Sequence, residues 1–253
     1  MSKAQTNRVS TQLRDAREGG VIPWAWIVDE TRQAERVNAW EDPAAYLETV
    51  RRSYRRDRWT DQPEWIEVWS EKGTIRGTLA PVLHEYGITF RVMHGYSSST
   101  TIHSIAEETK QSHKHLSVFY LGDWDPSGLH MSEVDLPSRI EQYGGVAMIL
   151  RLALRVDDLS SLPSFSAETK HGDPRYAWFT ARHGLTCWEL DALSPVILRE
   201  RVEQAIVDRL DVAAWHRAEA AEAAERASLS SILSAWPTSI SRQASKYPAE
   251  DAR

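Results

Sequence analysis

Three carboxylates stand where predicted strands end, and they are the residues of this chain best suited to chemistry. Glu71 follows the apolar run EWIEVWS, and Asp123 and Asp125 follow LSVFYLG in the segment FYLGDWDPSGLH. Parallel strands bring their carboxyl ends to one edge of a sheet, where ligands bind in α/β proteins. Carboxylates gathered there repel one another unless a cation or shared protons neutralise them. A hard divalent cation such as Mg²⁺, which takes its remaining oxygens from water and phosphate, meets that requirement.

The order of residues after the third strand supports this interpretation and also offers a simpler one. Asp123 and Asp125 alternate with one tryptophan, so an extended segment points both side chains to the same side. Residues 126–128, Pro-Ser-Gly, then turn the chain and start a helix, for which an aspartate is an ordinary N-cap. Glu71, at the end of a separate strand, favours the metal site over capping alone. The segment HGYSSST, residues 94–100, ends the second strand at the same edge and either caps the next helix or holds a phosphate.

The elements that must position these carboxylates alternate between strands and helices. In chain order they are the strands EWIEVWS, ITFRVM, LSVFYLGD and VAMILRLAL, with helices over about 74–86, 99–111 and 128–143 between them. This order predicts an α/β fold with a parallel sheet of about four strands and helices on both faces. Right-handed crossovers bring the four strand ends out at one edge.

Composition divides the chain into a small helical N-terminal segment, an α/β domain with a long C-terminal helix, and a polar tail that is expected to be flexible. These parts span residues 1–62, 63–227 and 228–253. Residues 156–184 are rich in Ser, Pro, Gly and Asp and are expected to be mostly loop with short turns. The long helix is expected to run from Ser194 to Ala227.

Length and charge exclude several classes of protein. The chain has 253 residues and 42% hydrophobic content, which is ample for a core. The apolar runs stop far short of the roughly 20 residues that cross a bilayer, and the N-terminus has no apolar signal region. We therefore expect a cytoplasmic protein that has no membrane partner. The net charge of −6 argues against a protein that coats nucleic acid nonspecifically. The single cysteine, Cys187, is expected to be a packed core thiol.

A local basic face is nevertheless present in the segment RRSYRRDR, residues 51–58. Arginines of such a segment can contact the phosphates of DNA, and the candidates are Arg51, Arg52 and Arg55. A solvated helix face with no ligand is the alternative interpretation.

The pairing of WSEKGT with GDWDPSG resembles the Toprim domain, which occurs in topoisomerases, bacterial primases and certain nucleases. The DPSG continuation, RLALRVDDL and WELDAL are most similar to the A subunit of topoisomerase VI, to its meiotic double-strand-break relatives and to stand-alone Toprim proteins of bacteria and phages. The resemblance covers roughly residues 64–205, and EKG and DWDPSG are its specific parts. It implies a Rossmann-like Toprim fold.

The resemblance also implies roles for individual residues. The catalytic and magnesium-binding residues it implies are Glu71, Asp123 and Asp125. Glu71 is in addition a candidate general acid or base. Lys72 is a candidate for contacting the phosphate of a nucleic acid, and its alternative is an ordinary surface lysine. Glu189 and Asp191 match family positions and are interpreted as structural.

No residue of the chain is identified as the nucleophile. In the topoisomerase VI A subunit a tyrosine on a winged-helix domain, well upstream of the Toprim glutamate, cuts the DNA. Only seventy residues precede Glu71 here, too few for a complete winged helix and its connection. Tyr46 and Tyr54 are the tyrosines in that stretch, and both fit an amphipathic helix instead.

Three functions therefore stay open. The first is a Mg²⁺-dependent, topoisomerase-like or nuclease-like enzyme that cleaves DNA with water or with a tyrosine from another chain. The second is a non-catalytic Toprim module that binds nucleic acid or nucleotide in a mobile-element or phage assembly. The third is a generic α/β protein whose carboxylates are structural caps. The expected partners are DNA, a second protein chain supplying a nucleophile or an ATPase, and a second copy in a homodimer.

Overall fold

The chain folds around a four-stranded parallel sheet. The computed structural model describes residues 3–23, 37–93 and 99–235. Its strands, in chain order, are β1 (Glu64–Ser70), β2 (Thr89–Val92), β3 (His115–Leu121) and β4 (Ala147–Ala153). They are arranged in the order β2-β1-β3-β4, and every neighbouring pair is parallel. The α/β class predicted from the sequence is confirmed, including the number of strands and the long C-terminal helix.

Contacts divide the chain into two compact units, residues 1–49 with 237–253 and residues 50–236. The described part of the first unit contains helix α1 (Lys3–Glu18) and the first turns of α2 (Pro43–Ser53). Asp42 begins α2 as predicted, because its Oδ1 accepts the backbone N–H of Ala45 at 2.8 Å. The domain boundaries predicted after residues 62 and 227 stay predictions.

The second unit contains the sheet and the remaining helices. These are α3 (Arg76–Tyr86), α4 (Ser99–Gln111), α5 (Pro126–His130), α6 (Leu136–Gln142), α7 (Val156–Leu159), α8 (Tyr176–His183), α9 (Pro195–Val207) and α10 (Val212–Ala235). A π-helical turn over Met131–Asp135 joins α5 to α6, and a short antiparallel pair, β5 (Phe165–Ser166) and β6 (Thr186–Cys187), lies apart from the main sheet.

Side chains alternate between the two faces of the sheet along each strand, and helices bury both faces. Val68 and Leu121 point to the face covered by α3 and α9. Trp69 and Tyr120 point to the face covered by α4 and α6. The two central strands, β1 and β3, consequently read as nearly continuous apolar runs and end at the same edge.

Three local expectations differ from the structure. Residues 156–184 contain α7, β5 and α8 in addition to loops, and α8 is anchored by Phe179, whose side chain is fully buried. The single long helix expected from Ser194 is two helices, because the carboxylate of Asp211 accepts the N–H of Ala214 at 2.9 Å and starts α10 as a new helix. That helix continues past the expected end, to Ala235.

Two further observations concern the composition of the described residues. Cys187 is fully buried, as expected for a packed core thiol. Within residues 3–23, 37–93 and 99–235, no helix is long and apolar enough to span a membrane. The segment HGYSSST lies outside the described residues except for its last two positions.

The close approach of α4 to the turn before β4 gives a test of the fold. A Cβ at Gly145 would lie 2.6 Å from the Cα of Ala106 in α4, which is too close for any real contact. We expect Gly145→Ala to lower the free energy of unfolding by about 2 kcal/mol, as other over-packing substitutions do. Gly172→Ala is the matched control, since a Cβ there meets nothing within 4 Å. Urea denaturation measures both, and equal stability of the two variants would contradict this packing.

Candidate active site

Two neighbouring strands deliver the predicted carboxylates to the same edge of the sheet. β1 ends at Ser70 and is followed by Glu71, and β3 ends at Leu121 and is followed by the loop that carries Asp123 and Asp125. In the register of the two strands, Ser70 lies opposite Leu121. Oε1 of Glu71 accepts a hydrogen bond from the backbone N–H of Asp123 at 2.9 Å. The end of the first strand is thereby tied to the loop after the third.

The two aspartates are buried, and each accepts a backbone hydrogen bond. Oδ1 of Asp123 accepts the N–H of Leu190 at 2.6 Å. Oδ1 of Asp125 accepts the N–H of Gly128 at 2.7 Å and caps α5. Capping, the simpler interpretation of this motif, is therefore one role of Asp125, and it leaves the second oxygen of that carboxylate for another partner.

Lys72 is held by three carboxylates. Its Nζ lies 2.9 Å from Oδ1 of Asp123, 2.7 Å from Oε2 of Glu189 and 3.0 Å from Oδ2 of Asp191. Burial lowers the pKa of Lys72, but the three carboxylates outweigh burial and raise the pKa above its ordinary value. The ammonium group therefore stays charged, and Lys72 is a part of the acidic cluster instead of an ordinary surface lysine. Glu189 and Asp191 belong to this cluster through the same contacts.

The segment between β5 and α8 brings two more cations to the loop. Nζ of Lys170 lies 3.2 Å from Oδ2 of Asp125. Nη2 of Arg175 donates to Oγ of Ser127 at 3.3 Å, and its Nε pairs with Asp173 at 2.9 Å. Burial lowers the pKa of Lys170, but the charge and hydrogen bond of Asp125, together with the charges of Glu189 and Asp123, raise it above its ordinary value. A segment expected to be loop thus forms one side of the candidate site.

Arg151 of β4 holds the backbone of the acidic loop. Its Nη1 donates to the carbonyl oxygens of Gly122, at 2.9 Å, and Asp123, at 3.2 Å. Its Nη2 donates to the carbonyl oxygen of Gly128 at 2.5 Å and to Oγ of Ser132 at 2.9 Å. Burial lowers the pKa of Arg151. Since one planar guanidinium satisfies several carbonyl oxygens, it fixes the path of the loop from β3 into α5.

The hydroxyl of Tyr120 is buried and forms no hydrogen bond with any described residue. A Cβ at Gly122 would lie 3.2 Å from this hydroxyl oxygen, so the hydroxyl lies against the loop that carries Asp123. Burial raises the pKa of Tyr120, and the negative charge of Glu71 raises it further. An unsatisfied buried hydroxyl costs about 1–3 kcal/mol, so this hydroxyl is available to bond a water molecule or a ligand.

Close packing at Gly128 brings the three acidic residues together. A Cβ at this position would lie 2.5 Å from the carbonyl oxygen of Asp123 and 3.1 Å from Oε1 of Glu71. Only glycine allows this approach. The first turn of α5, which Asp125 caps, therefore lies directly against the segments that carry the other two carboxylates.

Burial raises the pKa of two of these carboxylates. It raises the pKa of Glu71 to about 7, and the negative charges of Asp123 and Asp125 add to the effect. The hydrogen bond from the N–H of Asp123 and the charge of Arg151 act in the opposite direction. Burial also raises the pKa of Asp123. A carboxyl group whose pKa lies near 7 can both hold and release a proton at neutral pH, which general acid–base catalysis requires.

The donor set is chemically suited to Mg²⁺, but the carboxylates are not arranged around a common centre. Neither Oε2 of Glu71 nor Oδ2 of Asp123 has a hydrogen-bond partner among the described residues. Together with Asp125 these groups offer hard oxygen ligands beside an unsatisfied buried hydroxyl, and such oxygens are what Mg²⁺ prefers. In the part of the chain that the structure describes, however, no group of three or more His, Cys, Asp or Glu side chains is already placed to hold a metal ion.

The predicted basic residues divide into two sets. Arg56 pairs with Glu225 at 2.5 Å, and Arg58 pairs with Glu219 and Glu222 of α10, both at 3.0 Å. These two arginines are therefore occupied by a structural contact. Among the three candidates for DNA binding, Arg55 is exposed, and Arg51 and Arg52 each have a partner of their own.

The two tyrosines upstream of Glu71 have structural surroundings. The hydroxyl of Tyr54 donates to Oε2 of Glu225 in α10 at 2.5 Å. Tyr46 packs edge-to-face on Trp40, with their ring centroids 4.8 Å apart. Helix α2, which was expected to include both tyrosines, ends at Ser53, so Tyr46 lies on it and Tyr54 directly follows it.

Sequence reasoning missed three residues of this site, which are Tyr120, Arg151 and Lys170. The sequence does contain a signal for Arg151, because it is the single charged residue of the apolar strand AMILRLA and a buried arginine needs hydrogen-bond acceptors. Tyr120 and Lys170 carry no such signal, because one belongs to an ordinary strand pattern and the other to a segment expected to be loop.

The raised pKa of Glu71 gives a pH-dependent prediction. Between pH 4.5, its ordinary value, and pH 7, the native protein keeps a proton that the unfolded chain has released, so stability falls as pH rises. At about 1.4 kcal/mol per pKa unit, the loss is on the order of 3 kcal/mol. We expect Glu71→Gln, which keeps the hydrogen bond to Asp123, to remove this fall. Urea denaturation of both proteins across this pH range measures it, and parallel curves would contradict the burial of Glu71.

The residues that carry the resemblance to the Toprim domain are Glu71, Asp123 and Asp125, and the fold brings them to one edge of the sheet. Comparisons of the chain with protein-family models, with curated proteins and with solved structures find no match. The resemblance therefore rests on these motif residues.

Proposed function

We propose that this chain is a Mg²⁺-dependent, Toprim-like protein that acts on DNA by phosphoryl transfer, as a topoisomerase or a nuclease does. The observation that carries the proposal is the meeting of Glu71, Asp123 and Asp125 at the carboxyl ends of β1 and β3. Two features support it further. Carboxylate oxygens of Glu71 and Asp123 are without partners among the described residues, and the buried hydroxyl of Tyr120 beside them lacks a partner as well.

Glu71, Asp123 and Asp125 would hold the Mg²⁺ ion, which would neutralise phosphate charge and polarise the phosphorus–oxygen bond. Glu71 has a pKa near 7 and would transfer the proton, either from the attacking hydroxyl or to the leaving oxygen. Arg151 would keep the loop in place through its carbonyl oxygens. The attacking group is water or a hydroxyl from another chain, since the hydroxyl of Tyr54 is bonded to Glu225.

A second candidate function is a Toprim module that binds nucleic acid or nucleotide without cutting it. The contacts of Lys72 with Asp123 and of Lys170 with Asp125 favour this alternative, because they neutralise both aspartates without a metal ion. Both candidates place phosphate at the same edge of the sheet, and they differ in whether a phosphodiester bond breaks. A second protein chain that supplies a nucleophile or an ATPase, and a second copy of this chain in a homodimer, also stay proposals.

Relaxation or cleavage of supercoiled plasmid with Mg²⁺ tests the catalytic proposal. We expect Glu71→Gln and Asp123→Asn each to reduce the rate at least ~100-fold, the usual contribution of a positioned acid or base. Glu85→Gln, which changes an exposed glutamate of α3, is the matched control and should keep the parent rate. Activity that survives in both site variants would remove the proposed site, and DNA binding without any cleavage by the parent would favour the non-catalytic module.

The basic segment gives a separate prediction about DNA binding. Loss of one phosphate contact lowers the slope of log affinity against log salt concentration by about 1. We therefore expect Arg55→Gln, at an exposed position, to weaken DNA binding and reduce that slope. Arg58→Gln should leave the slope unchanged and lower stability instead, because Arg58 is paired with α10. Fluorescence anisotropy over a salt series measures this, and parent binding that is indifferent to salt would contradict a phosphate-binding role for the segment.

A further inference from the structure

Lys170 reaches the candidate site from an anchored turn. It ends a 3-10 turn, Ala167–Lys170, that directly follows β5. The N–H of Ala167 donates to the carbonyl oxygen of Leu185 at 2.9 Å, and the hydroxyl of Ser166 accepts the N–H of Glu168 at 3.2 Å. These hydrogen bonds fix the backbone of the turn, and the long side chain of Lys170 extends from it to Asp125.

The two lysines of the site differ in how many carboxylates hold them. Lys72 has three partners, so it keeps Glu189 and Asp191 even when Asp123 is taken by something else. Among the described residues, Lys170 forms an ion pair with Asp125 alone. Its ammonium group also lies 5.9 Å from the centre of the Phe165 ring. Lys170 therefore loses its ion-pair partner if another cation binds to Asp125.

A divalent cation and an ammonium group compete for Asp125. The Oδ1 atom of this carboxylate caps α5, so Oδ2 is the more available oxygen for a cation, and it is the atom that Lys170 contacts. Two like charges on one oxygen repel each other strongly in a partly buried site. The side chain of Lys170 is 38% exposed and its four-carbon stem is flexible, so the ammonium group can move away from Asp125 without moving the turn.

We propose that Lys170 binds a phosphate of the nucleic acid once a divalent cation has replaced it on Asp125. The proposal rests on the proposed function, because it requires a cation on the aspartates and a phosphate beside them. The bound phosphodiester beside that cation offers the released ammonium group a new anion. Cation and nucleic acid then strengthen each other's binding, and by linkage the same factor applies in both directions.

The test measures binding, with Ca²⁺ in place of Mg²⁺ to avoid turnover. Isothermal titration calorimetry gives the affinity for Ca²⁺, and anisotropy of a fluorescein-labelled DNA 20-mer gives the affinity for DNA with and without Ca²⁺. We expect Lys170→Met to bind Ca²⁺ alone about 3–10-fold more tightly than the parent, because the competing cation is gone. We expect the same variant to lose most of the Ca²⁺-dependent gain in DNA affinity and to show a salt slope lower by about 1.

Two control variants make the result specific. Lys170→Arg keeps the positive charge and should retain much of the gain in DNA affinity. Lys110→Met removes a lysine of α4 that pairs with the exposed Glu107 at 2.6 Å, and it should behave as the parent. Circular dichroism confirms that each variant is folded.

The outcomes separate this inference from the proposed function. If the parent binds Ca²⁺ and DNA but Lys170→Met matches it in both affinities and in the salt slope, the role of Lys170 is overturned and the site stands. If the parent binds DNA equally well with and without Ca²⁺, the exchange is overturned. If the parent binds neither, both proposals fail together. An effect of Lys170→Met on binding of ATP but not of the 20-mer would overturn the assignment to nucleic acid.

Discussion

The guanidinium of Arg151 is the group on which the acidic edge of this protein depends. It lies behind the loop that leaves β3 and donates to the carbonyl oxygens of Gly122, Asp123 and Gly128. A buried cation is costly unless it is well bonded, and a buried carbonyl oxygen is costly for the same reason. Here the guanidinium donates to these carbonyl oxygens, so both kinds of buried group are hydrogen-bonded. The loop consequently has one favourable path, and along that path the N–H of Asp123 faces Glu71.

Charge at this edge is only partly balanced. Four carboxylates, those of Asp123, Asp125, Glu189 and Asp191, contact the two ammonium groups. Glu71 lies beside them, and its raised pKa of about 7 keeps it partly protonated at neutral pH. The two lysines and that proton together lower the negative charge that the fold has to accommodate at this edge.

Much of this fold follows from local sequence signals. Strand β1 was predicted to the residue and β3 to within two residues, because two-sided burial in a parallel sheet favours a nearly continuous apolar run. The carboxylates Glu71, Asp123 and Asp125 were predictable from their places after those runs. The lysine contacts were not, because they join residues far apart in the chain. Lys170 meets Asp125 only through the position of the β5–β6 pair, which no local pattern encodes.

The same reasoning explains where secondary structure was misjudged. Ser, Pro and Gly dominate the region before α8 and predict loop, yet Phe179 anchors a helix there through tertiary burial. Asp211 starts α10 through one hydrogen bond that it accepts from the N–H of Ala214. That bond is not visible in the sequence, so the periodic apolar pattern around Asp211 predicts a single helix. In both places a contact that is visible only in the folded chain decides the local conformation.

The hydrogen bond from the N–H of Leu190 to Asp123 joins the site to a part of the chain that follows all four strands. The last strand of the sheet ends at Ala153, and α9, which covers one face, begins at Pro195. The acidic edge needs residues 189–191 as well, because they supply the donor to Asp123 and two of the three carboxylates around Lys72. The short segment that finishes the site therefore also leads the chain into the helix that covers the sheet.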